Sequence, residues 1–260
     1  MALFGRFRDR SRDPGDVASP VPPAPAVAPA PPLPAASPLP PVPEADPTTR
    51  EEQLEWLEES ARELTAAAFV SRTDAEQSLV EQYVLDDECD LTEDDVRAVL
   101  QRVWQERLDE QDTWPDEGGY TRLRAAFAAL DADGVVARMN FACCQTCGHA
   151  EIEDERSETS RGYVFFHQQD AERLAPGDSD LFLAFGSFGS AEELDASLVE
   201  RARVGDEEAR RQAMVASEER IGAEVSDALR RHGLTVDWDG TAAQRIQVTG
   251  LDWRKRLPVD

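Results

Sequence analysis

The apolar residues of this chain change their period at Asp133-Gly134, and that change limits the fold more than any other feature. Upstream of it, Leu54, Leu57, Ala61, Leu64 and Ala68 recur at three- and four-residue spacing, the stripe of an amphipathic helix. Thr49 and Glu52 form a capping-box pattern at its start, pairing the two ends of the first turn. A second helix holds Leu79, Val80 and Tyr83. A third opens at Thr92, with Asp95 three residues on, and buries Val96, Val99, Leu100 and Val103; Trp104 and Leu108 extend its apolar face. Trp114-Pro115 and Gly118-Gly119 break the chain, and a fourth helix carries Leu123, Phe127 and Leu130.

Beyond Gly134 the period becomes two. Val135, Ala137, Met139 and Phe141 alternate with Val136, Arg138 and Asn140, a strand with one buried face. The runs 162–166 and 181–185 are apolar on both faces and read as central strands. Ser190 and Glu193 have the pattern of another helix cap, Gly205 interrupts, and Met214, Ile221, Val225 and Leu229 share one face of a longer helix stopped by Gly233. Leu234, Val236 and Trp238, a turn at Asp239-Gly240, then Ile246 and Val248 form a closing hairpin. Strands and helices that do not strictly alternate point to an α+β fold: N-terminal helices, then a mostly antiparallel sheet of about five strands with helices on one face. Three segments result: a leader at 1–47, a helical segment at 48–112 and an α+β domain at 113–260.

The leader is a different material. Residues 13–47 are Pro/Ala low complexity, with Val21-Pro22-Pro23-Ala24-Pro25 and Pro38-Leu39-Pro40-Pro41 as examples. Proline fixes φ and removes backbone donors, so a disordered, extended spacer is expected. Its Pro-x-x-Pro patterns also suit an aromatic groove. Residues 1–12 carry arginines and a short Leu3-Phe4-Gly5-Arg6-Phe7 patch, without the roughly 7–15-residue apolar core of a signal peptide. No apolar stretch approaches the ~20 residues of a membrane span. The expected location is the reducing cytoplasm, where cysteines are thiols or metal ligands and not structural disulfides.

Formal net charge is −26, from 53 acidic and 27 basic residues, with Lys255 the single lysine. Nucleic-acid binding rests on Arg and Lys displacing counterions, so this balance argues against nucleic acid and favours basic protein partners. The near-exclusive use of arginine, with abundant Ala and Pro, points to a GC-rich bacterial genome.

Chemistry concentrates in Cys143-Cys144-Gln145-Thr146-Cys147-Gly148-His149, just beyond the strand that ends near Phe141. Cys144 and Cys147 have the spacing of a metal knuckle, with Gly148 free to take positive φ and turn amides toward sulfur. Zinc wants four donors; His149 is a candidate third and His167 a fourth, if folding brings position 167 to the sulfurs. Cys143, adjacent to Cys144, is set aside as a ligand and kept as a pocket residue. Two other readings stand beside the metal site: a redox or nucleophilic thiol, and cysteines that are merely packed. A thioredoxin-type motif needs its first cysteine at a helix start, whereas His149-Ala150-Glu151-Ile152 and the acidic run 153–155 read as a loop.

His167-Gln168-Gln169-Asp170 follows a strand directly, and these four polar side chains suit the wall of a pocket; a strand running out into solvent is the alternative. His232 reads as a helix C-terminal residue. The acidic runs 86–90 and 131–134 lack the alternating ligands and central glycine of a calcium loop. Gly186-Ser187-Phe188-Gly189-Ser190 lacks the lysine of a phosphate-binding loop.

The blocks Asn140-Phe141-Ala142-Cys143-Cys144-Gln145-Thr146-Cys147-Gly148-His149-Ala150-Glu151-Ile152 and Gly162-Tyr163-Val164-Phe165-Phe166-His167-Gln168-Gln169-Asp170, with Val236-Asp237-Trp238-Asp239-Gly240 and Leu251-Asp252-Trp253-Arg254, resemble a bacterial family of uncharacterised proteins that share one domain of unknown function. The resemblance covers about 113–257 and implies that these blocks belong to one domain; it supplies no activity, cofactor or catalytic residue. The expectation is therefore a non-enzymatic cytoplasmic protein with a zinc or ligand site at Cys144, Cys147, His149 and His167, flanked by Cys143, Gln168, Gln169 and Asp170. A thiol-dependent redox enzyme or sensor is the alternative, and an acidic partner or immunity-type binding protein a third.

Overall fold

The structure, a computed structural model, describes residues 49–85, 89–175, 177, 179–189 and 194–259. The leader at 1–47, the acidic residues 86–88 and the capping pair Ser190 and Glu193 lie outside the described residues.

Three helices come first: α1 (Arg50–Ala66), α2 (Arg72–Tyr83) and α3 (Glu93–Asp112). Thr49 with Glu52 and Thr92 with Asp95 form full capping boxes, each hydroxyl and carboxylate satisfying an otherwise orphaned amide. Ser71 caps α2 by accepting from the Asp74 amide. Leu57, Ala61, Leu79, Val96, Leu100 and Val103 interlock as one core, with Leu54, Leu64 and Leu108 at its margin.

The sheet follows α4 (Gly119–Ala132). Its strands are β1 (Val135–Arg138), β2 (Gly162–Phe165), β3 (Ser179–Ser187), β4 (Thr235–Asp237) and β5 (Ile246–Leu251), in the order β1-β2-β3-β5-β4. β1 and β2 are parallel and the other pairings antiparallel. The parallel pair is reached by a helical crossover: α5 (Gln145–Glu151) and a 3-10 turn (Ile152–Glu155) lie between the two strands in sequence. After β2 come α6 (Gln168–Ala171), and beyond β3 α7 (Ala196–Arg203) and α8 (Glu207–Arg231). This is an α+β fold.

Alternation sorts the two faces of the sheet. Val135, Ala137, Val164, Leu181, Leu183 and Val248 turn toward Leu123, Phe127, Ile221, Val225 and Leu229 of α4 and α8. On the opposite face Val136, Phe165 and Ala184 pack with Ile152, joined by Phe141, Tyr163 and Phe188. The C-terminal tail crosses back to the first helices: Trp253 Nε1 donates to Ala67 O at 3.1 Å and the Leu257 amide to Gln111 Oε1 at 3.0 Å.

Three local readings need correction. The strand expected to reach Phe141 stops at Arg138, because Asn140 (φ 51) and Ala142 (φ 56) enter the left-handed region. Segment 149–155, expected as a loop, is helical and continues a helix begun at Gln145, because buried Ile152 anchors it on the sheet. Met214 is exposed (55 %), since the α8 face at that level buries the small residues Ala209, Ala213 and Ser217. The described helix after β3 starts at Ala196 with Asp195 as its cap. No helix among the described residues is long and apolar enough to cross a membrane.

Candidate functional site

The left-handed turn at Asn140 and Ala142 redirects the chain as it leaves β1. Asn tolerates that conformation; alanine is strained there by about 1–2 kcal/mol. The chain nevertheless stays beside the continuation of β2: the Phe141 amide donates to Phe166 O at 2.8 Å and the Gln168 amide to Ala142 O at 3.1 Å. Cys143 and Cys144 therefore emerge where the β1–β2 pairing ends. Cys144, with extended backbone (φ −147, ψ 171), is the N-cap of α5. Cys147 stands three residues on, the position whose amide an N-cap side chain faces. The sulfurs of Cys143, Cys144 and Cys147 all lie within 4.8 Å of one another. All three are free thiols, Cys143 exposed and the other two half-buried.

Gly148 departs from the expected knuckle. It is helical, not in the positive-φ region, and its amide donates to Cys144 O at 2.9 Å. Glycine is needed for close approach: a Cβ there would meet the ring of Phe165.

The sulfurs are unequal. The Cys147 amide, followed by the Cys147 thiol, lowers the pKa of Cys144 below that of a free thiol. Cys147 is pushed up to about 12, first by hydrogen bonding to Cys143 and Cys144 and then by their charge. Cys144 therefore gives up its proton more readily than Cys147.

Neither imidazole joins this group. His149, on α5, has Nδ1 3.0 Å from Tyr163 Oη and Nε2 3.4 Å from Gln145 Nε2. An amide nitrogen can only donate, so Nε2 accepts and Nδ1–H donates to the phenol. One edge of the ring is exposed; the other sits edge-on to Phe165 at 5.3 Å. That partial desolvation, with Arg245 nearby, holds the His149 pKa below its ordinary value. Burial lifts the Tyr163 phenol to about 12.

His167 serves α6. Its Nδ1 accepts from the Asp170 amide at 3.2 Å and its Nε2 lies 3.1 Å from Asp170 Oδ2. Arg245 grips the same carboxylate at 3.1 and 2.5 Å and donates to Phe182 O at 2.6 Å. His167 and Asp170 are buried, at 6 % and 7 % exposure, so the trio is an internal clamp from α6 to β3 and β5. Gln168 and Gln169 point into solvent at the start of α6; Gln168 joins Leu64, Phe69, Asn140, Ala171 and Glu172 around a cleft of about 390 Å³.

A family model for a domain of unknown function, DUF6891, matches residues 50–257. The chain belongs to this family. Comparison with curated proteins and with solved structures gives no match. The DUF6891 match runs from α1 to the tail residue Leu257, so it takes in the first three helices as well as the 113–257 stretch that the motifs suggested.

Within this DUF6891 domain, the one group of side chains among the described residues arranged to hold a metal ion is the cysteine trio. Adjacent residues rarely both reach one ion, and on that ground the spacing alone sets Cys143 aside. Here the left-handed turn at Ala142 and the helix start at Gln145 bring its sulfur to those of Cys144 and Cys147. Arg245 and Tyr163, which engage Asp170 and His149, lie too far away in sequence for any spacing rule to pair them.

Proposed function

We propose that this DUF6891 domain is a non-enzymatic cytoplasmic protein that binds one thiophilic metal ion through Cys143, Cys144 and Cys147. The supporting observation is three sulfurs within 4.8 Å of one another, with no disulfide among them. Thiolates brought this close repel one another, and a cation at their centre relieves the repulsion while favouring their deprotonated forms. Zinc, the ion the sequence suggested, would take these three donors and one outside ligand. A net charge of −26 suits a basic protein partner.

The test is metal analysis of full-length protein purified under reducing conditions without chelators, followed by cobalt substitution. One metal per chain, with thiolate-to-cobalt charge-transfer bands that disappear in Cys144→Ser and Cys147→Ser, is the expected result. Protein that stays metal-free after incubation with zinc, cobalt and Cu(I) overturns the reading.

A second reading has its own support, the location of Cys144 at a helix N-cap with Cys147 three residues on, the arrangement of a dithiol. In that case the Cys144 thiolate attacks a low-molecular-weight disulfide and expels one thiol. Cys147 then displaces the second thiol and closes an internal disulfide. Metal-free protein with a reversible Cys144–Cys147 bond favours this reading.

A further inference from the structure

Resting on the metal-binding reading above, we infer that the ion is monovalent copper in a trigonal, all-thiolate site. The argument is a count of lone pairs. Zinc is held by four tetrahedral donors in structural sites, and three sulfurs form the complete cluster among the described residues. Each nearby imidazole has one lone pair, and each is occupied. His149 Nε2 faces the Gln145 amide nitrogen, and His167 Nδ1 accepts from the Asp170 amide.

Recruiting His149 would break its contacts with both Gln145 and Tyr163 and lift the ring from its seat on Phe165. Recruiting His167 would uncap α6 and pull a residue that is 6 % exposed away from Asp170. The carboxylates of the adjoining segment are engaged elsewhere or absent from the cluster: Glu153 pairs with Arg156 and Glu155 with Arg138. Among the described residues, no fourth protein donor is therefore at hand.

Three sulfurs alone suit a soft monovalent ion. Thiolates suit Cu(I) and zinc alike among the first-row metals, and of the two it is Cu(I) that a set of three donors completes. Around an ion with bonds of about 2.3 Å, three coplanar sulfurs stand about 4 Å apart, inside the 4.8 Å limit of the cluster. At most a small contraction separates the thiols from that geometry. Exposed Cys143 leaves one side of the centre open to solvent, so an incoming thiolate of another molecule can reach the ion and take it.

The test uses the reduced full-length chain under anaerobic conditions, titrated with Cu(I) against a chromophoric Cu(I) chelator and separately with Zn(II). X-ray absorption of the loaded protein then reads the donor set. One Cu(I) per chain, three sulfurs and no nitrogen, and displacement of zinc by one equivalent of Cu(I) are the expected results. Each of Cys143→Ser, Cys144→Ser and Cys147→Ser should weaken Cu(I) binding more than about 100-fold, beyond the 10–100-fold typical of losing a group outside the ligand set. His149→Ala should leave Cu(I) affinity unchanged. A nitrogen donor in the shell, or zinc retained against Cu(I), overturns the copper assignment and leaves the metal reading standing. Failure to hold either ion overturns both.

Discussion

The ring of Phe165 fills the space that a side chain on Gly148 would need: a Cβ built there falls 2.6 Å from Phe165 Cζ. Phe165 is fully buried against Val136, Ile152 and Ala184, so the ring cannot swing aside and α5 must lift instead. Gly148→Ala should destabilise the fold by about 1–3 kcal/mol, the usual range for overpacking a filled site. Because α5 carries Cys147 and is capped by Cys144, the same change should reduce metal stoichiometry. Urea denaturation and metal analysis measure the two effects; unchanged stability would mean that α5 does not rest on the sheet.

The clamp of Arg245 on Asp170 offers a contrast between buried and exposed charge. Removing one partner of a buried pair leaves an uncompensated charge and costs about 3–5 kcal/mol. Asp170 is 7 % exposed, while the Arg245 side chain retains 26 % exposure, which places Arg245→Met at the lower end of that range. Arg97, which pairs with Glu76, Glu93 and Asp94 in solvent, should change stability far less when replaced by methionine. Equal effects in denaturation midpoints would remove the clamp from the account of the fold.

Much of this architecture was legible because it is written in short-range patterns. The boxes at Thr49 and Thr92, the helix period through Leu57 and Leu100, and the alternation from Val135 to Ala137 all depend on neighbours a few residues apart. The site was legible only as far as the sulfurs. Whether His149 and His167 turn toward them depends on Tyr163 and on the Asp170–Arg245 pair, contacts made across the sheet. The helix at 145–151 was hidden for a related reason. Its cap is a cysteine, outside the usual Ser, Thr, Asp and Asn, and its hold on the sheet comes from Ile152 and from the absence of a side chain at Gly148.

His167 gives the fold a pH dependence of definite sign. Burial, the largest cause, lowers its pKa from 6.5, outweighing the nearby carboxylates of Asp170 and Glu172; Arg245 acts in the same direction as burial. The unfolded chain therefore binds a proton more readily than the native one, and stability falls as pH drops below the ordinary histidine value. Protonation would also occupy the Nδ1 lone pair that caps α6. His167→Asn keeps a capping oxygen and removes the titration. Between about pH 7.5 and pH 5.5 the natural protein should lose more stability than the variant. Glu218, whose carboxyl burial pushes upward from 4.5, acts in the opposite sense, but it is present in both proteins and drops out of the comparison. Parallel pH profiles in chemical denaturation would count against a titrating His167.

Trp253 joins the tail to the first helices, and its replacement separates packing from hydrogen bonding. Its indole is fully buried, lies 5.8 Å from Phe69 and 5.2 Å from Tyr120 between ring centroids, and donates to the Ala67 carbonyl. That carbonyl precedes Ala68, which holds a positive φ of 59 and whose own carbonyl receives Lys255 Nζ at 2.5 Å. Trp253→Phe keeps most of the apolar volume but strands the Ala67 oxygen, an expected loss of about 1–3 kcal/mol. Trp253→Ala adds a cavity and should cost about 3–5 kcal/mol. If the indole hydrogen bond fixes the strained turn at Ala68, the phenylalanine variant should also lose amide-exchange protection in the first turn of α2. If the turn is held by packing alone, the two variants should differ in stability while exchange around residue 71 stays as in the natural protein.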